Sequence, residues 1–418
     1  MRTGLNPAEA LQTILDATPV LASERVGLHE TLGRVLAEAV ASRFDLPPCD
    51  NSAMDGYALR SPELAGASRG APRSLAVAYE IPAGGRAPRA LLPGEAARIF
   101  TGAPIPPGAD AVLRQEDTER DGAQLRCFAP VEPGENVRRA GEDVRRGELV
   151  LEPGKRIGAA EIGMLASLGR TAIAVHQRPR VAILSGGDEL VEPDGDLSGG
   201  RIVSSNSYSI AAQCRELGAT PVYLGIARDT PEELERHFRA ALSADVIVSS
   251  AGVSVGDRDY VRDVLQKLGA SFLFWGVEMK PGYPLAFARF PRETAGLVFG
   301  LPGNPVSAMM TFEQFVRPAL RKLTGHRAWF RPLVEARVAQ RLAKKPGRLH
   351  FVRVCLGREA GEIVATPTGN QSSGVLRSMV LAQGILIFPA EASELAAGAL
   401  ARVQVVDEDF LAAPEPGF

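Results

Sequence analysis

Across residues 178–325 the chain repeats one phrase: a short apolar run, a Gly-rich turn, then a helical segment. Val181-Ala182-Ile183-Leu184 has the composition of a buried strand and empties into Ser185-Gly186-Gly187-Asp188. A helix is expected near 209–217 and a strand at 221–226. Thr230-Pro231-Glu232-Glu233 has the pattern of a capping box and should open a helix to about residue 242. Val246-Ile247-Val248 is the next strand. Apolar runs linked by helices leave few solutions, because parallel strands need a crossover and are covered on both faces. The expectation is an α/β chain with a doubly wound parallel sheet, whose ligands lie beyond the carboxyl ends of its strands.

The flanking segments differ in texture. Asn6-Pro7-Ala8-Glu9 suits a helix start, with Asn as N-cap and Pro at the first helical position. A second helix is expected over 29–40, with Leu32, Val35, Leu36 and Val40 on one side. Over 45–147 short apolar runs (75–79, 111–113, 124–128) alternate with Gly/Pro turns, the pattern of a small β domain. Helical signals return at 159–168. After Trp329 short strands are expected at 349–354, 362–366 and 384–388. The division is therefore a discontinuous helical N-terminal domain (1–44 and 148–177), an inserted β domain (45–147), an α/β domain (178–327) and a C-terminal β domain (328–418).

Composition removes several functional classes. The chain has 418 residues, 45% of them apolar and 23% charged, as in folded globular proteins. A net charge of −2 gives no general attraction to nucleic acid or an acidic membrane. An anionic ligand must then be held by local amides, helix ends and a few cations. Cys49, Cys127, Cys214 and Cys355 form no CxxC pair, and no His lies at zinc-ligand spacing. Reduced thiols and a cytoplasmic location are expected. There is no signal-type apolar segment at the N-terminus and no apolar run near the roughly 20 residues of a membrane span.

The chemistry should sit in the loops. Ser249-Ser250-Ala251-Gly252-Val253-Ser254-Val255-Gly256 follows a strand and offers amides and hydroxyls to a phosphate. Asp257 and Asp259 come next, with hard oxygens suited to a divalent cation, although both could equally cap the next helix. Gly300-Leu301-Pro302-Gly303-Asn304-Pro305-Val306-Ser307 also follows a strand, and Asn304 can cap the helix that Pro305 opens. Lys280, in Lys280-Pro281-Gly282-Tyr283-Pro284, is a cation on a stiff turn. In the N-terminal β segment, the stretch from Asp50 to Ala58, Thr101-Gly102-Ala103-Pro104 and Arg139-Ala140-Gly141-Glu142-Asp143 are polar turns that ordinary turn chemistry also explains.

Taken together these stretches become specific. DNSAMDGYA, TGAPIPPGADAV, RRAGEDV, SGGDEL, SSNSY, SAGVSVGDRDYV, MKPGYPLAF, GLPGNPVSAMMTFEQF, GRLHFVR and TGNQSSG resemble, in order, the molybdopterin molybdenumtransferase family, which includes bacterial MoeA proteins and the E domain of gephyrin. The resemblance implies four regions like those above, with a molybdopterin-binding α/β domain and a barrel-like C-terminal β domain. It also implies a homodimer whose cleft is completed by the N-terminal modules of the opposite subunit. The implied reaction takes adenylylated molybdopterin and molybdate, hydrolyses the pyrophosphate bond, releases AMP and leaves molybdenum on the dithiolene sulfurs, with Mg2+ neutralising the phosphates. A molybdopterin adenylyltransferase and molybdoenzyme apoproteins become the expected partners.

Carried over by position, the resemblance places functional acids at Asp55, Asp143, Glu189, Asp229 and Asp259, with Thr101 in the TGAP loop and Lys280 on phosphate or molybdate oxygens. Glu189, Asp229 and Asp259 are the expected Mg2+ ligands. Ser250, Gly252, Ser254, Gly256, Asp257, Pro302, Gly303, Asn304 and Ser307 are expected to hold the pterin nucleotide, and Arg353 and Ser373 match positions near the cleft. Four positions depart from the family pattern: Gly276 stands where a second lysine is typical, Tyr283 where Lys is frequent, Ala251 within the SGGVSVG run and Gly186 within STGDEL. A less positive cleft is expected from the first two. Alternatives are a non-catalytic molybdopterin-binding or scaffold paralogue and a tungsten-specific insertase. Molybdopterin adenylyltransferases and competence-damage-type hydrolases share the α/β domain but lack the DNSAMDGYA module.

Overall fold

The computed structural model describes residues 2–250, 260–291 and 296–412. Two compact units are present: residues 1–37, 154–158 and 173–418 form the first, and 38–153 with 159–172 the second.

The first unit is built on a seven-stranded sheet. In spatial order its strands are Arg2–Leu5, Ser271–Val277, Ala286–Arg289, Leu297–Leu301, Val246–Ser250, Arg180–Gly186 and Thr220–Ala227. All neighbours are parallel except Ala286–Arg289, which runs antiparallel to both of its partners. The 280–284 turn reverses the chain and sends it straight back into the sheet, so no crossover helix is needed there. The doubly wound expectation holds. One face packs on the helices Pro7–Ala17, Ser205–Glu216 and Pro305–Thr311, the other on Pro231–Ala241 and Tyr260–Lys267. Phe274, Phe287 and Phe299 meet across adjacent strands, with ring centroids 5.7 and 5.0 Å apart. Each is fully buried, and each contributes roughly 1.5–3 kcal/mol of hydrophobic stabilisation.

Local signals hold where they rest on capping. Asn6 Oδ1 accepts from the Glu9 amide at 2.9 Å, and Thr230 Oγ1 accepts from the Glu233 amide at 3.3 Å. The helix expected over 29–40 does not form. Gly33 takes φ +74 in its middle, and residues 28–30 make only a short 3-10 turn. Val35 and Leu36 are buried through isolated bridges to Arg156 and Val175, while Leu32 stays 63% exposed. Their spacing serves extended chain rather than one helix face.

The C-terminal part of this unit closes as expected. Leu333–Val338, Glu362–Pro367, Leu349–Glu359, Gly384–Phe388 and Leu400–Val405 form a ring, each strand paired with the next and the last with the first. The strand Met279–Lys280 is hydrogen-bonded alongside Leu349 and His350, which ties the Lys280 turn to this barrel.

The second unit centres on a six-stranded sheet in the order Ala111–Arg114, Gly56–Leu59, Glu95–Ile99, Arg73–Ile81, Gln124–Cys127 and Thr118–Asp121. Gly56 is required in it, because a Cβ there would sit 2.1 Å from the Leu113 carbonyl. All four cysteines are free thiols, and among the described residues no helix is long and apolar enough to cross a membrane.

Candidate functional site

Register puts three strand ends level. Ser185 lies beside Ser250, and Ser250 beside Leu301, so these strands end together at one sheet edge. A cavity of about 660 Å3 lies there, lined by Ser185, Ser204, Ser250, Pro302, Gly303 and Asn304 among others. Its floor is a knot of buried hydroxyls: Ser185 Oγ is 2.6 Å from Ser207 Oγ and 3.0 Å from Ser250 Oγ, and Ser204 Oγ donates to it at 3.0 Å. Asn206 Nδ2 donates to the Gly303 carbonyl at 2.7 Å, fixing the 302–304 turn against the Ser205–Glu216 helix. Hydroxyls so tied can reorient to give or accept protons at little cost, which suits a polar heterocycle or a phosphate. Asn304 occupies the N-cap without its side chain capping, leaving the amides of the Pro305 helix start without that partner.

One acid stands on the wall of this cavity, with two others close to it. Glu189 lines it. Gly187 holds φ +147, and a Cβ there would come within 2.7 Å of the Glu189 carboxylate, so the carboxylate occupies space that only glycine leaves. The Asp229 amide donates to Asp188 Oδ1 at 3.3 Å. Partial burial, and then the negative charges of Asp188 and Glu189, push the Asp229 carboxyl above its ordinary range. Behind them Tyr208 and Tyr223 donate to opposite oxygens of Glu192 at 2.8 and 2.7 Å, bracing the strand pair Leu190–Val191 and Ile202–Val203. Sequence reasoning missed this clasp, although Tyr208 stands in the SSNSY motif.

A second cavity, of about 630 Å3, draws on neighbouring stretches of chain: Lys280, Pro281 and Gln371 line it, while Pro284 and Gly374 line the first. This one is cationic, walled by Lys280, Lys344, Lys345, Arg348 and Arg353. Arg353 is 1% exposed, and burial pushes its guanidinium down to about 10. Its Nε donates to Ser378 Oγ at 3.1 Å and its Nη2 to the Ser372 carbonyl at 3.3 Å, and it has no carboxylate partner among the described residues. Burial, then Lys280, Lys344 and Arg348, hold the His350 ring down to about 4, so it stays neutral beside them.

Two of the departures prove to be one. The Tyr283 ring lies where a side chain at Gly276 would go, 3.2 Å from the built Cβ position, and it packs edge-on against Trp275. Arg348 stacks over the same ring at 4.4 Å while pairing with Glu278. A guanidinium thus borders the region where the family lysines are missing, and the expected loss of positive charge is smaller than those two positions suggest.

The structure gathers Ser250, Pro302, Gly303, Asn304 and Glu189 round the hydroxyl cavity, with Asp229 beside Glu189. Ser307 stands beneath it, its carbonyl taken by Thr311 Oγ1, and the Ser373 carbonyl accepts from the Val306 amide at 3.1 Å. Lys280 and Arg353 fall in the cationic cavity instead. Gly252, Ser254, Gly256, Asp257 and Asp259 lie outside the described residues. In the second unit Asp55 Oδ1 accepts from both the amide and the hydroxyl of Thr101 at 2.8 Å, which holds its carboxyl below the usual range. Asp50 accepts from Arg139 at 2.7 Å and from the Ala140 amide at 2.8 Å, joining that turn to the segment that carries exposed Asp143. Of the two carboxylates in the 50–58 stretch, Asp50 is a clasp and Asp55 faces solvent.

Comparison with known proteins bears on the family and the fold. Residues 182–322 match the probable molybdopterin binding domain, residues 5–169 the MoeA N-terminal region (domain I and II), and residues 335–406 the MoeA C-terminal region (domain IV). The fold and its site thus define a molybdopterin-binding-type α/β protein with MoeA flanking domains. The chain belongs to the MoeA, or molybdopterin molybdenumtransferase, family of molybdenum cofactor biosynthesis. It is 45% identical to the molybdopterin molybdenumtransferase of Nostoc sp. over 72% of this chain and 70% of that one. It is 37% identical to the Haemophilus influenzae protein of the same name over 90% and 92%. The crystal structure of the molybdopterin biosynthesis moeA protein from Pyrococcus horikoshii OT3 superposes with a TM-score of 0.81 at 30% identity, covering 96% of this chain and all of that one.

Proposed function

We propose that the chain inserts molybdenum from molybdate into adenylylated molybdopterin, water cleaving the pyrophosphate bond and AMP leaving. The observation that carries this reading is a pair of unlike cavities lined by neighbouring stretches of chain: one lined by hydroxyls with an acid on its wall, the other cationic and holding a buried guanidinium that has no carboxylate partner among the described residues. The first suits a pterin nucleotide, and the second a tetrahedral oxyanion. Ser250 and the Pro302-Gly303-Asn304 turn grip the nucleotide's phosphates, helped by the positive end of the Pro305 helix. Lys280 and Arg353 hold molybdate oxygens by charge-assisted hydrogen bonds.

The acidic set fits a divalent cation. Asp188, Glu189 and Asp229 crowd one another enough to raise the Asp229 carboxyl, and hard oxygens so crowded are stabilised by Mg2+. Glu189 and Asp229 would hold it. Among the described residues no group of three or more acids, histidines or cysteines is placed to hold a metal; the family resemblance adds Asp259, which lies outside the described residues, as a third ligand. When bound, the ion neutralises phosphate charge and polarises phosphorus. Glu189, on the cavity wall, orients the attacking water. On the family resemblance the active form is a homodimer in which Asp55, Thr101 and Asp143 of a second copy complete the site.

Incubation with adenylylated molybdopterin, Mg2+ and molybdate should release AMP and yield a product that reconstitutes a molybdenum-free apoenzyme. Intact substrate after long incubation refutes the reading. Lys280→Ala should weaken molybdate affinity about tenfold, with a reduced dependence on salt. Equal affinities for the two proteins across ionic strengths would remove Lys280 from the oxyanion site.

A further inference from the structure

The far end of the first unit carries another basic cavity that the proposed reaction leaves unused. The Ser205–Glu216 helix begins at the hydroxyl cavity and ends at this one, about 18 Å away along its axis. The cavity measures about 640 Å3. Its floor is made by Arg34, Arg317, Arg321 and Arg331, and its rim by the exposed Arg156, Arg178 and Arg215. These arginines come from five separate stretches of chain, so their convergence is a product of folding alone.

Their charge is not balanced. Among the described residues Glu216 and Glu408 are the only carboxylates on the lining. Glu313 stands behind it, 2.7 Å from Arg331 and 3.3 Å from Arg317, and Glu24 takes Arg34. Seven guanidiniums thus meet four carboxylates, an excess of three positive charges in a chain whose net charge is −2. Arg215 and Arg321 stand in the last turns of their helices, where each helix end offers roughly half a negative charge, too little to neutralise the excess. Arg317 Nε is buried and out of line for a hydrogen bond to Glu313. Arg321 donates through Nε to the Ala328 carbonyl at 2.6 Å, and among the described residues no acceptor takes its other nitrogens. The side chains of Arg156, Arg178 and Arg215 make no hydrogen bond or ion pair with described residues. Burial, then the neighbouring arginines, push the Arg321 guanidinium down to about 10, the cost of holding unneutralised cations together.

We propose that this cavity binds a small, multiply charged oxyanion of the diphosphate class. Planar guanidiniums on floor and rim present paired N–H donors that match phosphate oxygens, and the volume suits a small ligand rather than a protein surface. The ligand would relieve the repulsion within the cluster and lock together three parts of the unit, the 32–35 segment, the end of the Ser205–Glu216 helix and the end of Arg317–Leu323. The site is independent of the proposed reaction.

Trp329 provides the readout. Its indole nitrogen donates to the carbonyl of His326, and both His326 and Arg321 line the cavity. The only other tryptophan, Trp275, lies against Tyr283, so the full chain carrying Trp275→Phe reports from Trp329 alone. Titration with inorganic pyrophosphate in Mg2+-free buffer at about 0.15 M salt should change its fluorescence saturably. Arg178→Ala, on the exposed rim, and Arg321→Ala, on the floor, should each weaken the apparent affinity by about tenfold or more. Lys280→Ala should leave it unchanged. In the same titration ADP separates a nucleotide tail, bound more tightly than pyrophosphate, from a free diphosphate, bound less tightly. The proposal is overturned by the absence of a saturable change, by affinities insensitive to both arginine substitutions, or by sensitivity to Lys280→Ala alone. A change of oligomeric state with Arg178→Ala, without any pyrophosphate response, would overturn it in favour of an acidic protein partner.

Discussion

Glu189→Gln should lower the rate of AMP release by about two to three orders of magnitude while leaving the fold intact. The substitution keeps the side chain's shape and removes its charge. The shape is accommodated by Gly187, whose missing Cβ would otherwise meet the carboxylate, and the backbone is fixed by the Ile202 amide donating to the Glu189 carbonyl at 2.9 Å. The loss should therefore appear in kcat and in Mg2+ affinity rather than in melting temperature. With one negative charge removed, the Asp229 carboxyl loses one of the causes that raise it. Single-turnover release of AMP, followed by chromatography at saturating ligand, reads the effect directly. A variant that turns over at the parent rate would show that the acids on this wall only shape the cavity.

Arg353→Met should separate binding from stability. A buried guanidinium without a carboxylate costs desolvation free energy, and a flexible apolar side chain of similar length removes that cost. Against this stand the lost bonds to Ser378 Oγ and the Ser372 carbonyl, and Ser378 retains its own bond to Val375. The two effects offset, so unfolding free energy should change by no more than about 2 kcal/mol. Molybdate affinity should fall about a hundredfold, because the strongest charge-assisted donor is gone. Thermal melts with and without molybdate report both quantities, since the anion raises the melting temperature only where it binds the folded chain. A large loss of stability with unchanged molybdate protection would make Arg353 a core residue and nothing more.

Much of the architecture was legible because the signals were short-range. The strand at 384–388 and the helix starts at Asn6 and Thr230 rest on residues three or four apart. What failed was also local in appearance. The 29–40 segment has helical apolar spacing, but Gly33 in a left-handed conformation and pairing with distant chain at Arg156 and Val175 decided against a helix. The edge strand Arg2–Leu5 gave no signal, being four residues that become a strand only by lying along Ser271–Val277. The antiparallel course of Ala286–Arg289 depends on the 280–284 turn returning to the same sheet. At the site, the expectation that Ser250 and the 302–304 turn meet at one sheet edge matches the cavity they line, whereas the division into two cavities, and the placement of Arg353 and Lys280 in the second, did not show.

By itself the sequence determined which stretches could be strand, helix or turn, and which loops carry hydroxyls, acids and cations. Capping bonds and apolar periodicity are settled within a turn or two of chain. Tertiary structure alone decided that seven arginines drawn from positions 34 to 331 share one cavity, that Tyr283 fills the space beside Gly276, and that Arg353 is buried with no counter-charge among the described residues. Those facts depend on distances and solvent exclusion that packing creates, and electrostatic energy changes severalfold with both.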